Sequence, residues 1–169
     1  VRIFQGVIFQ TSRSLRVMLQ KAGGNNNAED EYWVPSLICI SQESFDRIAA
    51  FDMVRFIAHR YGFGTYIHMI KDYYSRSSVN ASKDILGRLL KRIKVSKSNV
   101  YVDTMISPSY TSAVAQTLQI PGISGQNNNR ILFEYSASRP DNIKDFVDNY
   151  GLIKAADFDV VILRSTDKG

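Results

Sequence analysis

Apolar positions along this chain follow two alternating rhythms. Short, largely apolar runs at 37–40, 65–70, 100–102, 131–133 and 158–163 suit β-strands, and the first is apolar on both faces, as a central parallel strand should be. Between them, apolar residues recur every three or four positions, the period of a helix face. One such stripe is Phe45, Ile48, Ala49, Met53, Phe56 and Ile57, ended by Gly62. A second is Ile85, Leu86, Leu89, Leu90 and Ile93, with Ser77 and Ser78 as caps. Its last turn holds Lys91, Arg92 and Lys94, cations that suit the negative end of the helix dipole. Residues 110–119 give a third helix, begun by Ser107 and Pro108, an N-cap oxygen before a proline whose missing N–H costs nothing there. A fourth follows Pro140, with Ile143, Phe146, Val147 and Tyr150 predicted to face inward. Strand and helix alternate throughout. The pattern predicts an α/β domain with a five-stranded, mainly parallel sheet and helices on both faces, joined by right-handed crossovers.

The first 22 residues also have a helical period. Phe4, Val7, Ile8, Leu15, Met18, Leu19 and Ala22 share one broad face, with Arg2, Arg13 and Arg16 opposite. Gly23 and Gly24 end the helix, and Asn25, Asn26 and Asn27 continue as linker. The organisation expected is an amphipathic basic helix over 1–24, a polar linker over 25–34 and an α/β domain over 35–169.

Charge sharpens that division. The formal net charge is +5, and Arg2, Arg13, Arg16 and Lys21, with no acid before Glu29, supply +4 of it. The other 17 cations face all 16 acids. A helix with one apolar and one purely basic face is the pattern of a membrane-surface or partner-docking element. The near-neutral remainder has no bulk pull on phosphate backbones, so nucleic acid is not an expected partner.

Candidate chemistry is sparse. In this fold class ligands bind beyond the carboxyl ends of the strands, which selects loops 41–44, 71–75, 103–109 and 136–140. Ser41, Asp103 and Ser107 are the candidate ligand residues there, Asp103 being the best-placed acid. None of the loops is glycine-rich or carries a phosphate-binding fingerprint. The glycines at 122 and 125 follow a helix and precede a strand, so they read as a C-cap and turn at the opposite edge. His59, His68 and Cys39 show neither metal-ligand spacing nor a nucleophile–base pattern, and packing is expected for each. No catalytic residue, metal or cofactor is expected. The serines at 12–14 and 75–78 read as caps and solvated turns, with phosphorylation as the alternative. A single cysteine excludes an internal disulfide and suits a reduced compartment. No run of eighteen apolar residues crosses a bilayer, and the opening valine suggests a piece of a longer protein.

The stretch Tyr110-Thr-Ser-Ala-Val-Ala-Gln-Thr-Leu-Gln-Ile-Pro-Gly-Ile-Ser-Gly, followed by Asn129-Arg-Ile-Leu-Phe-Glu-Tyr, resembles the cytoplasmic carboxy-terminal domain of cation-chloride cotransporters. Similar segments are Trp33-Val-Pro-Ser-Leu-Ile-Cys-Ile and Phe158-Asp-Val-Val-Ile-Leu-Arg, while Arg60-Tyr-Gly-Phe-Gly-Thr-Tyr-Ile-His resembles the prokaryotic branch. The resemblance implies a permease-like membrane part of the amino acid-polyamine-organocation type, then an amphipathic connector helix. After these comes a dimerising α/β domain similar to universal stress proteins. The basic face of Arg2, Arg13, Arg16 and Lys21 would belong to that connector. Expected partners are the membrane domain of the same polypeptide, the membrane surface and a second copy, with the domain in the cytoplasm. Eukaryotic relatives carry a second lobe, so residues 35–169 would be the first lobe of a longer domain. Some relatives bind adenine nucleotide, and a universal-stress-like nucleotide sensor using loops 41–44 and 103–109 is the competing expectation.

Overall fold

The computed structural model describes residues 36–60, 62–96, 100–119, 129–136 and 142–166. The expected basic helix with Arg2, Arg13, Arg16 and Lys21, the linker, the turn at 121–125 and Pro140 lie outside the described residues. Nine elements alternate: β1 (Ser36–Ser41), α1 (Ala49–Arg60), β2 (Phe63–Lys71), α2 (Arg76–Ser96), β3 (Tyr101–Ser107), α3 (Tyr110–Leu118), β4 (Asn129–Ser136), α4 (Asn142–Ala155) and β5 (Asp159–Ser165). The strands form one sheet in the order β3-β2-β1-β4-β5, and every pair is parallel.

The register explains why the central strands are so apolar. Cys39 of β1 sits opposite Tyr66 of β2 on one side and Leu132 of β4 on the other, so β1 has no solvated edge. Its alternate residues feed two cores. Leu37 and Cys39 join Phe51 and Val54 of α1 and Leu89 of α2 on one face of the sheet. Ile38 and Ile40 join Ala113 and Val114 of α3 and Ile153 of α4 on the other. The described residues therefore form a three-layer sandwich with two helices on each face.

Close approach of α1 to the sheet depends on Gly64 of β2. A Cβ there would meet Val54 Cγ1 at 2.7 Å and the Val54 carbonyl oxygen at 2.8 Å. No other residue type leaves room for that helix backbone.

Several local expectations shift. Ser107 is the last residue of β3 and donates to the Ser109 carbonyl at 3.0 Å, while Ser109 caps α3 by accepting from the Ser112 N–H at 3.1 Å. Pro108 thus precedes the cap instead of following it. The extended backbone of Ser109 (φ −147°, ψ 157°) is the geometry a cap requires. Similarly, α2 starts two residues earlier than a cap at Ser77 implies. Ser75 Oγ accepts from the Ser78 N–H at 3.2 Å, and Ser78 Oγ accepts from the Ser75 N–H at 2.9 Å, a reciprocal pair like a capping box.

The inward face of α4 is also rotated from the one expected. Ile143, Val147 and Tyr150 are 40, 62 and 48 % exposed, and the sheet-facing positions are Phe146, Asn149 and Ile153. The cause is Asn149, which is buried with its Nδ2 donating to the Asp145 carbonyl at 2.7 Å. An apolar-only reading cannot place a polar residue on the core side. Phe56 and Leu90 are likewise exposed on the flanks of α1 and α2. Among the described residues no helix is long and apolar enough to cross a membrane.

Candidate functional site

Strand order reverses between β1 and β4, because the chain builds β2 and β3 on one side of β1 and then crosses to β4 on the other. Helices on either side of that point leave to opposite faces, so a crevice opens beyond the carboxyl ends of the two strands. A cleft of about 100 Å³ lies there. Cys39 and Ile40 of β1 and Phe133 and Glu134 of β4 line its floor. The walls are Ser41 at the end of β1, Gln42, Glu43 and Arg47 after it, Tyr110 of α3, and Asn142 and Asp145 of α4.

The wall after β1 is fixed by its own hydrogen bonds. Ser41 Oγ accepts from the Glu43 N–H at 3.1 Å, and the Glu43 carbonyl accepts from the N–H groups of Asp46 and Arg47. Glu43 Oε2 also pairs with Arg47 Nε at 3.0 Å, and the Arg47 side chain is buried. Behind this turn, Arg92 donates to the Ser44 carbonyl at 3.1 Å and Arg88 sits 3.8 Å above the Phe45 ring. The loop is thereby held from α2 as well as from β1. On the far wall Tyr110 donates to the Ile40 carbonyl at 3.3 Å and packs against Phe133 with ring centroids 5.8 Å apart.

The electrostatics of the cleft are acidic. Glu43, Glu134 and Asp145 line it against one guanidinium, Arg47, which is already bonded to Glu43. Burial raises the Asp145 carboxyl above the usual range, Lys71 and Lys144 opposing and Asp148 adding to the shift. The Tyr110 hydroxyl is pushed well up, by burial first, with the charge of Asp145 adding to it. Burial, reinforced by Glu134, pushes the Cys39 thiol up too, so it stays protonated and is a poor nucleophile. Glu134 Oε1 is buried with no hydrogen-bond partner among the described residues. Such a lining suits a hydrogen-bond donor or a cation better than a phosphate.

The sequence-predicted site residues scatter. Ser41 lines the cleft. Ser107 is fully buried at the end of β3, its hydroxyl used on Ser109. Asp103 lies within β3, four residues before the strand ends, because β3 runs on to Ser107. Its oxygens accept from the Tyr101 hydroxyl at 3.1 Å and the Thr104 N–H at 2.8 Å, on the outermost strand and away from the cleft. His68 is buried against Ser44 and Phe45. Among the described residues no group of histidine, cysteine and carboxylate side chains can hold a metal ion. The residues that do converge, Arg47, Tyr110, Glu134 and Asp145, share no local motif in the sequence. Glu134 left one signal, a carboxylate directly after the apolar run Ile131, Leu132 and Phe133.

No family model matches the chain, and no curated protein matches it.

Proposed function

We propose that the chain is a non-catalytic regulatory and assembly domain, acting on the cytoplasmic side of a membrane cation-chloride cotransporter. The sequence resemblance supports the transporter class. The observation that carries the assembly role is an apolar shoulder beside the open edge of β5. Helix α4 turns one flank, with Asp145, toward the cleft; Ile143, Val147 and Tyr150 occupy the opposite flank, on the β5 side. Ile162 of β5, opposite Phe133 in the register, extends that surface and is 53 % exposed. As the last strand of the sheet among the described residues, β5 presents backbone groups that no described strand pairs. An open edge with an apolar shoulder is self-complementary about a two-fold axis, and a second copy of this chain is the occupant we assign to it.

Pairing of two domains regulates transport only if the dimer makes different contacts in the two states of the membrane part, so that assembly energy biases one conformation. The test is sedimentation velocity on the whole chain. Wild type should form dimers at micromolar concentration, while Ile162→Asp and Val147→Asp should sediment as monomers with unchanged circular dichroism. Dimers that survive both substitutions, or a monomeric wild type, overturn the assignment.

The cleft at the strand-order reversal favours a second reading, a small-ligand sensor. Its described lining, three carboxylates around one paired arginine, works against an adenine nucleotide's phosphates. Calorimetric titration with ATP decides: heat at sub-millimolar ligand supports the sensor, and none at millimolar ligand removes it.

A further inference from the structure

The α/β domain holds 17 cations and 13 acids over 35–169, and it concentrates that positive charge on one helix. Over its 21 residues α2 carries Arg76, Lys83, Arg88, Lys91, Arg92 and Lys94 against one acid, Asp84. Two of these cations are engaged inward, Arg88 over Phe45 and Arg92 on the Ser44 carbonyl and above Phe51. The other four share one line. At 100° per residue Arg76, Lys83, Lys91 and Lys94 fall within an arc of about 80°, opposite the sheet-facing residues Ile85, Leu89 and Ile93. All four are exposed, and none has an ion-pair partner among the described residues. The row runs about 27 Å from Arg76 to Lys94. Gly87 lies midway along the same line, and a Cβ there would meet nothing within 4 Å, so the ridge is open at its centre.

We infer that this ridge of α2 is a docking surface for an anionic lipid leaflet. Charge complementarity selects an anionic partner. The neighbouring side chains select lipid. Val95, 88 % exposed, and Leu90 flank the row, and Tyr73 and Tyr74 stand exposed just before the helix begins. Lysines interleaved with exposed aliphatic groups and flanked by tyrosines are the composition of an interfacial element, whose apolar atoms enter the headgroup boundary while the cations meet phosphates. A straight row on a convex helix meets a plane along its whole length. A nucleic acid partner would leave Leu90 and Val95 without a use, and its phosphates follow a curved path.

This surface is independent of the β5 edge, and neither its success nor its failure alters the dimer test. The experiment is co-sedimentation of the whole chain at 0.1 M salt with vesicles of phosphatidylcholine containing 30 mol % phosphatidylserine, and with pure phosphatidylcholine. Replacing Lys83, Lys91 and Lys94 by Gln together should lower partition onto the anionic vesicles about 100-fold, with the far-ultraviolet spectrum and melting midpoint unchanged. Replacing Arg2, Arg13 and Arg16 by Gln instead should leave a component that the α2 substitutions then remove. Pure phosphatidylcholine should bind little. Equal partition of wild type and the α2 variant overturns the inference, as does equal binding to neutral vesicles. Tighter α2-dependent binding to duplex DNA than to anionic vesicles at the same salt also overturns it.

Discussion

The hydroxyl of Ser44 lies 2.6 Å from Nδ1 of His68, joining the wall of the cleft to the neighbouring strand in the interior. The imidazole packs on Phe45, with ring centroids 5.9 Å apart. Burial lowers the His68 pKa from its ordinary value of 6.5, and the nearby charge of Arg88 lowers it further. Folding therefore weakens proton binding. Below about pH 6.5 the unfolded chain holds more protons than the folded one, and stability falls as pH drops until the folded imidazole also protonates. Urea unfolding of wild type and His68→Gln at pH 7.5 and 5.0 measures this. The wild type should lose more stability on acidification than the variant, and equal losses would show that His68 is not the group responsible.

Gly64 brings α1 onto β2, and its replacement should be felt at once. In Gly64→Ala the new methyl meets the Val54 carbonyl oxygen as well as its side chain, so rotating Val54 cannot clear it. Overpacking of this kind costs about 1–3 kcal/mol. The variant should melt lower than wild type, and adding Val54→Ala should restore only part of the loss, since the backbone contact persists. Full restoration would place the clash in the side chain alone.

Two serines compete for the start of α3, and they separate by mutation. Removing the Ser109 cap with Ser109→Ala should cost about 1 kcal/mol, whereas Ser109→Asp should cost much less, because a carboxylate also accepts from Ser112. The effect of Ser107→Ala should not be rescued by Asp, since that hydroxyl acts as a donor to a carbonyl in a fully buried position. Rescue of Ser107 by Asp, with no effect at Ser109, would return the cap to Ser107.

The same pair shows what the sequence discloses and what it hides. Strand–helix alternation is a long-range rhythm written in apolar spacing, so the α/β class, the parallel sheet and the core residues Ile38, Leu89 and Ile131 were legible. The strand order is not written there. It depends on which side of β1 the fourth strand joins, and the cleft exists only because of that choice. Residues 39, 47, 110, 134 and 145 meet across a distance in sequence that no local motif spans. Asp103 misled because β3 continues through Thr104 and Ser107, polar residues that a search for apolar runs excludes. Asn149 misled for the converse reason, its Nδ2 being satisfied by a bond to its own helix, while its Oδ1 is buried with no hydrogen-bond partner among the described residues.

Glu134 is where the core and the acidic cleft make opposite demands. Its Oε1 is buried in a central strand with no hydrogen-bond partner among the described residues, and its charge bears on the buried thiol of Cys39. A buried acceptor without a donor costs about 1–3 kcal/mol, so the core is expected to gain from its removal. Glu134→Leu, of similar length and apolar, should melt at or above the wild-type temperature. Stabilisation on losing a polar side chain marks a group kept for something other than folding, here the acidic character of the cleft. A loss of 1 kcal/mol or more would show that the carboxylate serves the fold, and would remove the cleft's strongest claim to a ligand.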